Sequence, residues 1–422
     1  MMALWPRIWK NGYRTDDGRI TSKEYNMSEQ VNVGFIGAGG FISAHHLVTA
    51  ATSPYLKIGA IADLNDDTLE KHAAKYDVGY TTQDYRKLLA DDAIDLIVIG
   101  TKQDLHAKLI VEALDAGKWV LCEKPMASSA EASLRVLEAE RRAPGRLAIG
   151  FNRRFAPACR RAKTLMKQAR RPWFVNYRMM NQSSHVVDGF YKNEPRIIYE
   201  GCHLLDLARW FMDADPVSVF MTGDRLHNHC CILSFEDGSQ FQLMCGSVGA
   251  TAFWKENMEI YGQDKTICIN DFVDMRVRGF EHEFDQLYPP YRNEHGEDVL
   301  KYGFEFYEMY QAYFRDDYVN QKFRVDWAKY GVANVLPKRP LELPFELKFA
   351  RENPDILTFI SNKGWYESLE HFGRCFLEKR KPDNASGVDG ARATELGLAL
   401  LESLERKSPV AFQPESRKFD HE

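Results

Sequence analysis

Residues 31–42 read VNVGFIGAGGFI. An apolar run, Val31–Ile36, enters Gly37-Ala38-Gly39-Gly40 and leaves into a segment, 42–51, with a helical pattern. A buried strand, a glycine turn and a helix in succession are the context in which such glycines point to a dinucleotide. Gly37 permits the tight turn, and Gly39 lets a pyrophosphate approach the backbone at the helix N-terminus. Gly40 and Phe41 continue the turn. Ile42 stands where the fingerprint has its third glycine, a position that governs helix–strand packing more than phosphate contact. A second apolar strand, 56–62, ends at Asp63, about two dozen residues on, where a carboxylate accepts ribose hydrogen bonds and repels a 2′-phosphate. No arginine follows in ADLNDD, which favours NAD over NADP. A glycine turn and a capping aspartate without any ligand is the plainer alternative. The register of strand, helix and Asp63 weighs against it.

Outward from this stretch, strand and helix alternate. LIVI (96–99) is wholly apolar, as expected of a central parallel strand covered on both faces. A helix over 105–116, with Asp104 as N-cap and Gly117 just past its end, precedes a strand at 119–122. Ser128-x-x-Glu131 has the pattern of a capping box opening a helix to about residue 142. The alternation predicts an α/β Rossmann domain, doubly wound around a mostly parallel sheet, over 31–152. Beyond it, strand-like runs at 173–179, 217–222, 229–235, 240–245, 258–261 and 265–269 predict a second, α+β domain over 153–422. Its sheet is large, open and mainly antiparallel, and Glu236-Asp-Gly-Ser239 marks a hairpin. Residues 280–350 are expected to be an insertion, residues 1–30 an N-terminal arm or extension, and 363–379 and 390–406 helices.

The chain has 422 residues, 45% hydrophobic and 27% charged, with a net charge of −5. This is the profile of an ordinary globular protein with ample core. No strongly basic block supports nucleic-acid binding. No apolar run reaches the roughly 18–20 residues of a membrane helix, and MMALWPRIWKNGYR lacks the apolar region of a signal peptide. Eight cysteines without a Cys-x-x-Cys pair are read as reduced and mostly buried, which fits a cytoplasmic location.

Three further segments follow in order: TKQDLH (101–106), EKP (123–125) and YEGCHLLD (199–206). With the glycine turn, GFNRRFAP (150–157) and the closing SGVDGARATELGLALLESLERKSPV, they resemble the glucose–fructose oxidoreductase / inositol 2-dehydrogenase family, Gfo/Idh/MocA. The resemblance covers about 31–270 and 361–410, and the EKP segment after the fifth strand is its most specific part. It implies an NAD(P)-dependent oxidoreductase acting on CH–OH groups of sugars, cyclitols or their derivatives, often assembled as a homodimer or homotetramer. By position, Lys124 matches the lysine that hydrogen-bonds the reacting hydroxyl, and His203 the histidine that moves its proton. Glu123, Thr101 and Lys102 line the nicotinamide side, and His106 matches the histidine of the T-P-N-x-x-H segment. An imidazole is suited to accept a hydroxyl proton near neutrality, an ammonium to stabilise alkoxide character, and hydride transfer to a nicotinamide requires no metal. Two departures from the family pattern stand out. Lys102 and Gln103 replace its Pro-Asn. Tyr199 stands where the aspartate four residues before the histidine belongs, so Tyr199, Glu200 or Asp206 has to take over its part.

Among the remaining polar residues, His227-Asn-His-Cys-Cys231 feeds an alternating strand and is read as strand packing rather than a zinc site. Cys202 and His203, as helix neighbours, point about 100° apart and are no nucleophile pair. Arg153 is a candidate substrate contact and Arg154 a surface ion pair. His185, in a polar loop, is a further candidate substrate contact. Two other readings remain beside a dehydrogenase: an enzyme that cleaves glycosides through transient oxidation, and a non-enzymatic NAD-binding sensor, which has no need of both Lys124 and His203.

Overall fold

The computed structural model describes residues 29–180, 193–248, 255–288 and 362–420. The expected arm, His185 and the insertion beyond residue 288 lie outside them. In the first domain, β1 (Val31–Ile36), β2 (Leu56–Ala62), β3 (Tyr80–Thr82), β4 (Leu96–Ile99), β5 (Trp119–Cys122) and β6 (Leu147–Ile149) form one parallel sheet in the order β3-β2-β1-β4-β5-β6. LIVI of β4 is buried along its whole length, because helices cover both faces of a doubly wound sheet. The strand order reverses between β1 and β4, which opens a crevice at the carboxyl ends of these two strands. TKQDLH and EKP leave the sheet at the same end, after β4 and β5.

The second sheet has nine strands. In chain order they are β7 (Phe174–Met180), β8 (Ser218–Gly223), β9 (His229–Ser234), β10 (Gln240–Gly246), β11 (Glu256–Gly262), β12 (Lys265–Asn270), β13 (Asp274–Arg278), β14 (Gln286–Leu287) and β15 (Val410–Ala411). Across the sheet they run β14-β13-β12-β11-β7-β10-β9-β8-β15. All pairs are antiparallel except β7 with β10. β9 and β10 meet at the expected hairpin, where Gly238 takes φ +85°. In β9 His229, Cys231 and Leu233 point into the core and Cys230 and Ile232 outward, so this stretch is strand packing. Strand β13 and the start of the expected insertion belong to the sheet, and Tyr288 reaches its core.

Several local readings shift. The helix expected over 42–51 is two short helices, α1 (Gly40–Ala44) and α2 (His46–Thr52), broken at His45. Tyr80–Thr82 and the helix α4 (Arg86–Ala90) carry no clear periodic signal; α3 (Asp66–Lys75) stands as expected. The Ser128–Glu131 capping box is not formed. Ser129 caps α6 (Ala130–Arg142), accepting a hydrogen bond from the Ala132 amide. A 3-10 turn over Gln103–Leu105 leads into α5 (His106–Asp115), so Asp104 lies inside that turn, while Gly117 follows the helix with φ +78° as expected.

After β6 the chain crosses through Asn152–Phe155 into α7 (Pro157–Met166). The inner face of the second sheet packs on α9 (Cys202–Met212), which follows the short α8 (Arg196–Tyr199), and on α11 (Gly387–Arg406). Helix α10 (Trp365–Leu377) returns to the first domain, where Leu369 and Phe372 join the core with Val31, Leu56 and Leu121. Ser386 and Asp389 form a capping box at the start of α11.

Glu140 on α6 is packed against that helix start and accepts a hydrogen bond from the Gly387 amide. Burial pushes its carboxyl up to about 7, with Asp389 adding to the rise. A raised folded-state value means stability present below the unfolded carboxyl range and lost as pH rises through about 7. The neutral variant Glu140→Gln should therefore melt with the wild type near pH 5 and above it at pH 8. Parallel melting curves across that range, with no divergence, would remove Glu140 as the source.

Candidate active site

The crevice is assembled first by the glycine turn. Gly37 adopts φ +83°, and a Cβ there would lie 2.8 Å from the Gly100 carbonyl oxygen at the end of β4. The two strand ends on either side of the crevice thus touch through glycine backbones. Gly39 and Gly40 face open space: a Cβ at either would meet no atom of the described residues within 4 Å. Ile42, in place of the third glycine, is fully buried. The room it needs comes from the facing strand: a Cβ on Gly100 would sit 2.1 Å from Ile42 Cγ1. The glycine of close helix–strand approach has moved from the helix to the strand end.

Asp63 stands just past β2, beside the glycine turn. Its Oδ2 accepts the Ala38 amide at 2.8 Å and its Oδ1 the Asn65 amide at 3.0 Å. A carboxylate oxygen carries two lone pairs, so both remain able to accept hydroxyls. Open glycines beside an oriented carboxylate are the fit expected for a dinucleotide.

Thr101 and Lys102 stand at the end of β4, and His106 ties that end to the next. Its Nδ1 lies 2.8 Å from the Pro125 carbonyl oxygen and its Nε2 3.1 Å from that of Thr101. Burial lowers its pKa. With a backbone carbonyl against each ring nitrogen, one of them taking the N–H of the neutral ring, His106 spaces the TKQDLH and EKP loops.

Glu123 is nearly buried. Its carboxylate lies 2.8 Å from His46 Nε2 and accepts the Lys124 amide at 3.3 Å. A Cβ on Gly150 would be 2.9 Å from it, so that glycine makes its space. Lys124 reaches across to the second domain: its Nζ donates to the Tyr199 carbonyl at 3.0 Å and to Glu200 Oε2 at 3.3 Å. Glu200 Oε1 in turn takes the Lys255 ammonium at 2.7 Å. Burial would raise the Glu200 carboxyl, but Lys255 and Lys124 outweigh it and hold it well below the usual range.

His203, one turn further on, is buried against the edge of Phe151, and its Nδ1 has no hydrogen-bond partner among the described residues. Burial, then Arg153 and Lys124, push its pKa well below the ordinary imidazole value. The ring is neutral near pH 7 and can accept a proton.

Of the three substitutes for the missing aspartate, Glu200 is the one that meets Lys124. Tyr199 contributes its backbone carbonyl. Asp206 is held in a two-pronged pair by Arg154, at 2.9 and 2.6 Å. Arg154 also bridges to Asp389 and is buried, so the expectation of a surface pair is wrong. Arg153 is likewise buried, with its guanidinium spent on Glu256 through two 2.8 Å bonds. The crossover runs through the interior between two sheets, where an arginine has to be paired. Cys202 packs in the first-domain core with its thiol pushed up to about 12 by burial. His46, Lys255, Glu256 and Lys363 are neighbours that sequence reasoning missed. His46 follows the glycine turn within helical reach, whereas Lys255, Glu256 and Lys363 lie in no motif.

Residues 31–151 match the family described as oxidoreductase family, NAD-binding Rossmann fold. Over this stretch the chain is similar to the NAD-binding oxidoreductases of the Gfo/Idh/MocA family. It is 26% identical over 296 residues to the uncharacterized oxidoreductase YrbE of Bacillus subtilis, a match spanning 65% of this chain and 86% of that protein. It is 31% identical over 193 residues to inositol 2-dehydrogenase 2 of Saccharopolyspora erythraea, spanning 44% of this chain and 56% of that enzyme. Its fold is similar to scyllo-inositol dehydrogenase from Lactobacillus casei with bound NAD(H) and scyllo-inositol: TM-score 0.64, 18% identity, 91% and 99% of the two chains.

The Gly100–Ile42 contact is testable. Gly100→Ala should cost about 1–3 kcal/mol through overpacking. Adding Ile42→Ala should recover much of it, as read in a double-mutant cycle of chemical denaturation. Strictly additive effects would dissolve the proposed compensation.

Proposed function

We propose that this chain is an NAD-dependent dehydrogenase of a secondary hydroxyl on a cyclitol or sugar, with Lys124 and His203 as the chemical pair. The observation that carries this reading is the convergence, across the domain seam, of the Lys124 ammonium, the ionised Glu200 and the neutral imidazole of His203, whose Nδ1 has no partner among the described residues. The inositol dehydrogenases among its relatives support the substrate class.

Gly37, Gly39, Gly40, Phe41 and Ile42 shape the pyrophosphate turn. Asp63 holds the ribose and, with its charge, disfavours a 2′-phosphate. Thr101, Lys102 and Glu123 bound the nicotinamide side. Bound NAD+ supplies the hydride acceptor. Lys124 donates a hydrogen bond to the reacting hydroxyl and stabilises its developing negative charge. His203 takes the hydroxyl proton, and Glu200 balances the imidazolium that results. Glu200 also fixes the Lys124 ammonium in place, as the family aspartate would. Exposed Phe174, Ile232 and Tyr261 on the outer face of the second sheet favour pairing of copies through that face.

A screen for NAD+ reduction over cyclitols, sugars and glycosides tests the reading. His203→Asn and Lys124→Ala should each lower kcat by about 10²–10⁴-fold while leaving NADH affinity within a fewfold of wild type. Equal activity in both variants would end the assignment. The pH profile gives a separate check. A histidine held well below 6.5 stays in its proton-accepting form until the pH drops under that value. The acid limb of kcat/KM should therefore lie below pH 6.5; a limb at pH 7 or above contradicts a neutral His203 base.

A further inference from the structure

Three consecutive residues, Lys363–Trp365, join the cofactor turn to the substrate side, and no catalytic role accounts for them. Lys363 is buried, and its ammonium lies 2.5 Å from Glu256 Oε1, on the carboxylate that also holds Arg153 and the Tyr177 hydroxyl. Its own carbonyl accepts Asn152 Nδ2 at 2.7 Å. Gly364 takes φ +81° and lies so close to the crossover that a Cβ would be 2.4 Å from the Phe155 carbonyl carbon and 2.5 Å from the Ala156 nitrogen. Only glycine fits there, and the backbone is pinned. One residue later, the Trp365 indole stacks on His45, centroids 4.0 Å apart and planes 28° apart, with its edge toward Phe41 at 6.0 Å.

Phe41 lies in the first turn of α1 and His45 at the break that ends it, and the next residue, His46, holds Glu123. At the other end, Phe151, whose ring meets the His203 imidazole edge-on at 5.9 Å, directly precedes Asn152, whose side chain bonds the Lys363 carbonyl. The strap therefore has one end on the pyrophosphate turn and the other on the carboxylate beneath the proton acceptor. Its middle is fixed to the crossover by backbone contact, so a shift at one end has little slack to absorb it.

We propose that Lys363–Trp365 is a positioning strap that couples the two sites. Trp365 holds the cofactor turn in its binding shape, and Lys363 holds Glu256 and Arg153 in register with His203. Occupancy of either site then tightens the other. This rests on the dehydrogenase reading above, because it requires a cofactor at the turn and a polyol at His203.

The measurement is NADH affinity, by nicotinamide fluorescence, with and without a saturating amount of the polyol found in the activity screen. NADH with the alcohol forms a non-reacting complex, so binding alone is read. By reciprocity, the polyol should tighten NADH at least about fivefold in the wild type. Trp365→Ala and Lys363→Met should bring that factor to within twofold of unity, while Trp365→Phe and Lys363→Arg keep most of it. Lys363→Met should also raise KM more than it lowers kcat. Melting curves identify a variant that is merely unfolded, and the conservative and Lys363 variants then still decide. Folded variants that keep the wild-type factor overturn the strap, as does a wild type that turns over polyols with a factor of unity. A wild type that binds no NADH overturns the dehydrogenase reading itself, and the strap with it.

Discussion

A carboxylate shared by two ammonium groups governs this molecule. Glu200 sits between Lys124, from the loop after β5, and Lys255, from the residue before β11. All three side chains are 17–23% exposed, and a charge partly withdrawn from water in this way is penalised unless it is paired. Together they hold the first domain against the second at the point where His203 enters the crevice. The attraction is made across the seam rather than within either sheet, so it also sets how the two domains face each other.

The same rule explains the crossover. Arg153 and Arg154 lie side by side in the interior and diverge to Glu256 and Asp206. Arg154 goes on to Asp389, which Arg209 also holds; despite burial, both guanidiniums keep that carboxyl well below its usual range. Asp215 carries the chain of charges from Arg209 to Arg392, deep in α11. The helix bearing His203 is thereby fastened to the closing helix by alternating charges. Asp206, pushed up to about 6 by burial but gripped by Arg154, serves that fastening. It is not available to replace the absent aspartate at the substrate.

Packing makes room for two side chains of the site. Ile42 fills the space of a glycine because Gly100 opposite has no side chain, and Gly150 yields its volume to the Glu123 carboxylate. In both, a facing glycine leaves the space that the larger side chain needs. His106 shows the converse. It belongs to a recognisable segment, yet its ring spans two backbone carbonyls and its work is spacing.

Much of the first domain was legible in the residues themselves. Val31–Ile36, LIVI and the turn at Gly37 announce their conformation locally, because apolar period, glycine and sheet burial act over a few residues. The order of motifs likewise carried the family, and with it Lys124 and His203 as candidates. Charge pairing was not legible. That Glu200 rather than Tyr199 or Asp206 meets Lys124, that both crossover arginines are buried, and that Lys363 returns from the far end of the chain to Glu256 depend on contacts between residues tens to hundreds of positions apart. Sequence alone determined which chemical groups this protein owns and which strands carry them. Only the tertiary structure decided which carboxylate each cation meets, because a buried charge takes the partner that folding brings within reach.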